Sequence, residues 1–176
     1  MNRREAVQRI SFMLGGVISA PLMAGIMNEK TNTGLSLSVT EDQKLLIAEL
    51  ADVIIPTTTT PGAKAAGAEN FIIRVMRDCY EIADQEAFYA GLARLNKDSL
   101  KVHQKDFTSL TTEQKNGMVK KMTETDTPFF KQMKGLTVTA YFTSEIGATQ
   151  ALDYLPIPGR FDGSWPMPKG QKTWAL

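Results

Sequence analysis

The chain holds a single cysteine, Cys79, and a single histidine, His103. One thiol excludes an intrachain disulfide and any zinc, haem or iron–sulfur site built on paired cysteines. One histidine excludes an H-E-x-x-H metal site. A Ser-His-Asp triad would have to use His103, which stands in the polar run Lys101-Val102-His103-Gln104-Lys105 and reads as part of an exposed connection. Cys79 falls on the apolar side of a predicted helix and reads as a small buried hydrophobe. There is no G-x-G-x-x-G turn for a dinucleotide, no C-x-x-C-H for haem, and no usable nucleophile–base pair. Charge of one sign is also lacking: 20 Lys and Arg face 19 Asp and Glu, a net +1. No basic field therefore draws nucleic acid or an anionic membrane. The lysines between Lys101 and Lys134 alternate with Asp106, Glu113, Glu124 and Asp126, as on solvated helix faces. No segment shows sustained strand alternation, so the predicted class is all-α, a compact multi-helix domain with long ordered loops.

What is present begins with a long uncharged run. Arg3, Arg4 and Arg9 precede Ile10 to Met27, which carries no charge and is interrupted by Gly15, Gly16 and Pro21. A signal h-region and a short membrane anchor both fit, with a buried N-terminal helix as the plainer alternative. The paired arginines are similar to a twin-arginine export signal. The match is partial, with Asn2 where Ser or Thr is usual and Ala6-Val7 in place of Phe-Leu. Residues 1–27 are thus read as signal or anchor, 28–39 as a polar linker, and 40–176 as the folded domain, irregular from 160. At 176 residues with 43% hydrophobic and 22% charged side chains, one folded domain is the natural expectation.

The helices announce themselves by caps and spacing. Thr40-Glu41-Asp42-Gln43 is a capping-box pattern, and the helix it opens puts Leu46, Leu50, Val53 and Ile54 on one face until Pro56 stops it. Phe71, Ile72, Val75, Met76, Cys79 and Tyr80 follow helical spacing. Asp84 can cap the next helix, which carries Phe88, Leu92 and Leu95, and the polar segment 96–110 is anchored by Phe107 and Leu110. Thr111-Thr112-Glu113-Gln114 repeats the capping box and turns Met118, Val119 and Met122 inward. Thr127-Pro128 reads as a cap with proline at N1, followed by Phe129, Phe130, Met133, Leu136, Thr137, Ala140 and Tyr141.

Three stretches stand out from this pattern. Thr57-Thr58-Thr59-Thr60-Pro61-Gly62 sets a row of hydroxyls between two prolines; it reads either as an ordered internal loop or as a loop lying on a partner. In the stretch from Ala140 to Gly159, Ser144 is a good N-cap with Glu145 at N1. Tyr141, Phe142 and Tyr154 bracket Glu145 as a buried-looking carboxylate. Those residues read first as a capped helix start with aromatic packing, and beside it as a site or docking surface held rigid by the cap. Beyond Gly159 the extended tail carries both tryptophans, Trp165 and Trp174, whose rings need cover from the domain's own side or, as the favoured reading, from another subunit.

These segments resemble the gluconate 2-dehydrogenase subunit 3 family. The resemblance is carried by Leu50-Ala51-Asp52, Ile54-Ile55-Pro56, Thr58, Thr60-Pro61-Gly62-Ala63, Ala66-Gly67, Phe71-Ile72 and Phe129-Phe130. Further on come Tyr141-Phe142-Thr143-Ser144-Glu145-Ile146-Gly147, Tyr154 and Pro158-Gly159. It implies a small, non-catalytic subunit of a periplasmic, membrane-associated flavin dehydrogenase that oxidises sugars or sugar acids. A large flavoprotein subunit would carry FAD and the chemistry, with a cytochrome c subunit, holding haem c, as a further partner. The small subunit would carry the export signal at Arg3 and Arg4, and would act as scaffold, chaperone and export escort with no cofactor, metal or catalytic residue of its own. Its partner-facing residues would be Thr58, Thr60, Pro61, Gly62, Tyr141, Phe142, Thr143, Ser144, Glu145, Gly147, Tyr154, Pro158, Gly159, Trp165 and Trp174. Two other readings are kept beside it: a stand-alone exported ligand binder or small enzyme using Glu145, and an envelope structural protein.

Overall fold

The computed structural model describes residues 38–154, 159, 164, 166 and 169–175. Arg3, Arg4, Pro158 and Trp165 lie outside these, as do the side chains of Tyr154 and Trp174. The order is α1 (Glu41–Ile54), α2 (Ala68–Cys79), α3 (Ile82–His103), a 3-10 turn (Phe107–Ser109), α4 (Thr112–Thr125) and α5 (Thr127–Phe142). A π-helical turn (Gly147–Ala151) and two-residue strands β1 (Asp153–Tyr154) and β2 (Trp174–Ala175) follow. The class is all-α as expected; the strands form only a short parallel pair, Asp153 against Trp174 and Tyr154 against Ala175. Among the described residues no helix is long and apolar enough to cross a membrane.

Both capping boxes form. Thr40 Oγ1 accepts the Gln43 amide at 3.2 Å while Gln43 Oε1 accepts the Thr40 amide at 3.0 Å. Thr111 and Gln114 do the same at 3.4 and 3.1 Å. Each box satisfies two amides that the helix start leaves unpaired, worth about 1 kcal/mol. α1 packs against α2, α3, α4, α5 and the 3-10 turn. That central place explains why its buried face, Leu46, Ile47, Ala48, Leu50 and Ala51, is broader than the single stripe expected from spacing. Ile72 and Met76, Phe88 and Leu92, Phe107, and Met133 complete the fully buried core. Phe129 lies over Gly91, where any added methyl would strike the ring.

Four local expectations need correction. Cys79 is exposed. It lies at the right angle on α2, but Arg77, Asp78 and Cys79 form a last turn that no neighbouring element covers. α3 starts at Ile82 behind Glu81, so Asp84 sits within its first turn instead of capping it. The chain is turned there by Gln85, a buried amide that donates to the Tyr80 carbonyl at 2.9 Å. His103 is the last residue of α3, half-buried with its Nδ1 3.5 Å from Gln114 Nε2, and not part of an exposed connection. The α4–α5 junction is Asp126 alone, which ends one helix and begins the next, so Thr127 is N1 and Pro128 one place later. Arg94 holds the Asp126 carboxylate at 2.6 and 3.0 Å, and Asp126 makes no side-chain cap.

Candidate interaction surface

The threonine–proline loop is ordered by its own backbone. Pro56 ends α1, and the Ile55 carbonyl accepts the Ala63 amide at 2.9 Å, closing the loop at its base. Thr57 Oγ1 accepts the Gly62 amide at 2.9 Å, and the Thr60 carbonyl accepts the Thr58 amide at 3.0 Å. A Cβ on Gly62 would stand 2.6 Å from the Thr57 nitrogen and 2.7 Å from the Ile55 oxygen, so only glycine fits. Thr57, Thr58 and Thr59 remain exposed, Thr60 and Pro61 are half-buried, and Gly62 and Ala63 are buried. A turn over 63–67 ends on Gly67, whose φ of 68° lies in the left-handed region, and α2 begins.

Tyr141, 80 residues further along, locks this loop. Its ring is 2% exposed and its hydroxyl donates to the Pro61 carbonyl at 2.8 Å. Thr60 Oγ1 lies 3.3 Å from the same hydroxyl and can donate to it. After α5 the chain turns at Ser144, whose hydroxyl donates to the Tyr141 carbonyl at 2.6 Å and accepts the Gly147 amide at 3.0 Å. This is the cap the sequence predicts: Glu145 and Ile146 are helical and run into the π-helical turn, which puts Gly147 at N3 of the combined stretch. Gly147 packs so closely on the Tyr141 carbonyl that a side chain would collide with it. The two motif segments are therefore one clamp, held by a buried phenol and two glycines.

Glu145 does not fulfil its expectation as a buried carboxylate. It is exposed, because the Ser144 turn points N1 outward and leaves Ile146 as the residue packed on the core. The stand-alone reading, which needs Glu145 in an enclosed cavity, loses its geometric basis. Phe142 is 39% exposed and meets the Tyr141 ring edge-on at 5.2 Å. Thr143 is exposed with its hydroxyl on the Thr139 carbonyl, and Gly159 is exposed. The tail returns to its own chain: the Asp153 amide donates to the Thr173 carbonyl at 2.9 Å and Lys172 to the Gln150 carbonyl at 2.6 Å.

Two features escaped the sequence reading. The first is an ion cluster under the loop: Glu49 of α1 takes Lys64 of the loop turn at 2.5 Å on one oxygen and Lys115 of α4 at 2.6 Å on the other. Glu49 and Lys115 are only 15% and 13% exposed. Burial pushes the Glu49 carboxyl up, but the two ammonium groups outweigh it and hold its pKa below the ordinary value. The signal was available, since Glu49 lies three residues after Leu46 and four before Val53, on the apolar stripe itself. The second is a groove of about 220 Å³ between α2 and the end of α5, lined by Ala66, Asn70, Phe71, Arg74, Thr143 and Ser144 among others. Larger grooves of about 290 and 230 Å³ lie along α3, and neither touches the clamp. Among the described residues no three His, Cys, Asp or Glu side chains gather as a metal site.

Comparison with known proteins adds one match. A family model described as gluconate 2-dehydrogenase subunit 3 covers residues 41–159, from the first residue of α1 through both halves of the clamp. No curated protein and no solved structure matches significantly.

Proposed function

We propose, from the premise that this chain belongs to the gluconate 2-dehydrogenase subunit 3 family, that it is the non-catalytic small subunit of an exported flavin dehydrogenase. The family is by description one subunit of a dehydrogenase, so association with other subunits comes with membership. The finer reading gives the chemistry to a large flavoprotein subunit holding FAD, with a cytochrome c subunit carrying electrons onward. This chain would serve as scaffold, folding chaperone and export escort in the periplasm, with Arg3 and Arg4 in the export signal.

One observation carries the reading: three hydroxyls of the clamp are committed to its own backbone. The Tyr141, Ser144 and Thr57 hydroxyls are engaged with Pro61, Tyr141 and Gly62, in an arrangement that builds a rigid surface. Such an arrangement suits a shape to be recognised. The exposed Thr57–Thr59 ridge and the half-exposed Phe142 ring are then the parts of the clamp available to a partner.

The test is purification of the full, C-terminally tagged chain from the membrane fraction of its own cells under mild detergent. The expected eluate contains a larger flavoprotein in fixed ratio, seen by flavin absorbance, with sugar or sugar-acid oxidation. Recovery of the chain with no flavoprotein would overturn the proposal and favour an envelope structural role.

A further inference from the structure

The groove between α2 and the end of α5 joins the two halves of the clamp. Ala66 and Gly67 at one side close the loop; Ala140, Thr143 and Ser144 at the other begin the second motif segment. Its lining mixes apolar Ala66, Phe71 and Ala140 with polar groups, among them the exposed Asn70 and Arg74, one helical turn apart on α2. Arg74 is exposed and makes no ion pair within the described residues. The acid one turn on, Asp78, is hydrogen-bonded by Arg77 at 2.6 and 3.0 Å and feels the Arg74 charge only at longer range, without a bond. Asn70 gives one amide proton to Glu69 at 2.8 Å and retains another. The hydroxyls on the far wall are committed to their own helix: Thr143 donates to Thr139 and Ser144 to Tyr141.

The groove therefore offers a guanidinium fork with no hydrogen-bonded acid and an amide N–H beside apolar side chains. No carboxylate stands among its lining residues. Arginine in this setting matches a carboxylate in paired hydrogen bonds, and the neighbouring Ala66, Phe71 and Ala140 suit small side chains flanking it. We propose that this groove docks an extended acidic segment of the flavin-bearing subunit, with an Asp or Glu of that segment on Arg74. The inference rests on the accessory-subunit reading above and adds to it the place of docking and the chemistry of what docks. Charge complementarity selects the occupant: the surface supplies an unpaired cation where a partner must supply the anion.

The experiment uses the full tagged chain in its own cells, with the photo-reactive benzoylphenylalanine at position 70 and, as control, at Glu113 on α4. Co-purified flavin is read alongside for Arg74→Glu and Arg74→Lys. The expected result is a cross-link from position 70, absent from 113, to a peptide of the flavoprotein that contains Asp or Glu. Arg74→Glu should cut co-purified flavin by about tenfold and Arg74→Lys far less, with the melting temperature of the chain unchanged because Arg74 is exposed. Undiminished flavin with Arg74→Glu, or cross-links from 113 alone, would overturn the groove while leaving the accessory role standing. A wild-type chain that brings down no flavoprotein would overturn both.

Discussion

The clamp and the α3–α4 layer are built on different principles. In the clamp, backbone touches backbone: Gly62 meets Thr57 and Ile55, and Gly147 meets the Tyr141 carbonyl. Each contact tolerates one residue type, and one phenolic hydroxyl ties together segments 80 residues apart. In the α3–α4 layer, contact is between ordinary apolar side chains, Leu92, Leu95, Met118, Val119 and Met122. Gly117 there has nothing within 4 Å of where a Cβ would stand. A layer of that kind accepts substitutions of similar volume at modest cost, whereas the clamp does not. Such rigidity fits a surface that must present a fixed shape.

The sharpest way to break this contrast is to add one methyl to each glycine of the clamp. Gly147→Ala and Gly62→Ala drive a Cβ into backbone atoms that cannot rotate away. Each should cost about 3 kcal/mol or more, at the upper end of overpacking effects. The check is the urea midpoint of the folded chain. A loss under about 1 kcal/mol would mean that the loop can reseat itself and the contrast fails.

Removing one oxygen comes next. Tyr141→Phe keeps the buried ring and deletes the hydroxyl that satisfies the Pro61 carbonyl. A cost of about 1–2 kcal/mol follows from leaving a half-buried acceptor unpaired. Hydrogen exchange should quicken at the Gly62 and Ala63 amides and stay unchanged in α4. Uniform quickening across the chain would show that the hydroxyl serves general stability and not the loop.

The ion cluster beneath the loop gives a pH signature. Glu49 has a folded pKa held below its ordinary 4.5, so its contribution is complete above about that value. It is lost as the pH falls through the depressed folded pKa, because protonation then releases both lysines. Glu49→Gln should cost about 1–2 kcal/mol at neutral pH, mostly from stranding the shielded Lys115, with Lys64 discounted for its 47% exposure. Stability measured from pH 7 to pH 3 should fall less steeply in the variant than in the wild type. Parallel curves would remove Glu49 from the account.

What the sequence revealed divides along the same line. Thr40, Thr111 and Ser144 were legible as caps because a cap and its partner lie within three residues of each other. In α1 spacing found Leu46 and Leu50 but not Ile47, Ala48 and Ala51, whereas the core residues of α4 and α5 were legible from spacing alone. Cys79 was not, since helical angle says which face a residue occupies and nothing about where the neighbouring element ends. Glu145 misled for a related reason: flanking aromatics suggested burial, but the Ser144 turn decides which way N1 points. Spacing could have marked Glu49 as shielded, but its partners Lys64 and Lys115, like the tie from Tyr141 to Pro61, depend on chain-distant packing that no local pattern encodes. Only the family resemblance, by pairing the two motif segments, hinted that they belong together.

The smallest expected effect has the opposite sign. Gly117 in α4 and Gly135 in α5 lie inside helices, with nothing within 4 Å of a would-be Cβ. Alanine there should stabilise the chain by about 0.5–1 kcal/mol by restricting the unfolded state. The same methyl thus unfolds one region and firms the other, and the comparison is cleanest when all four variants are measured in one urea series. Gly135 sharpens it further, because it sits on the exposed face of α5 beside Val138 and Phe142, which are 36% and 39% exposed. If Gly135→Ala stabilises the isolated chain yet lowers co-purified flavin, that face too is approached closely by a partner, and the partner-bearing surface extends beyond the clamp. If it stabilises without changing flavin recovery, the contacts that matter to assembly stay where the backbone is most tightly fixed.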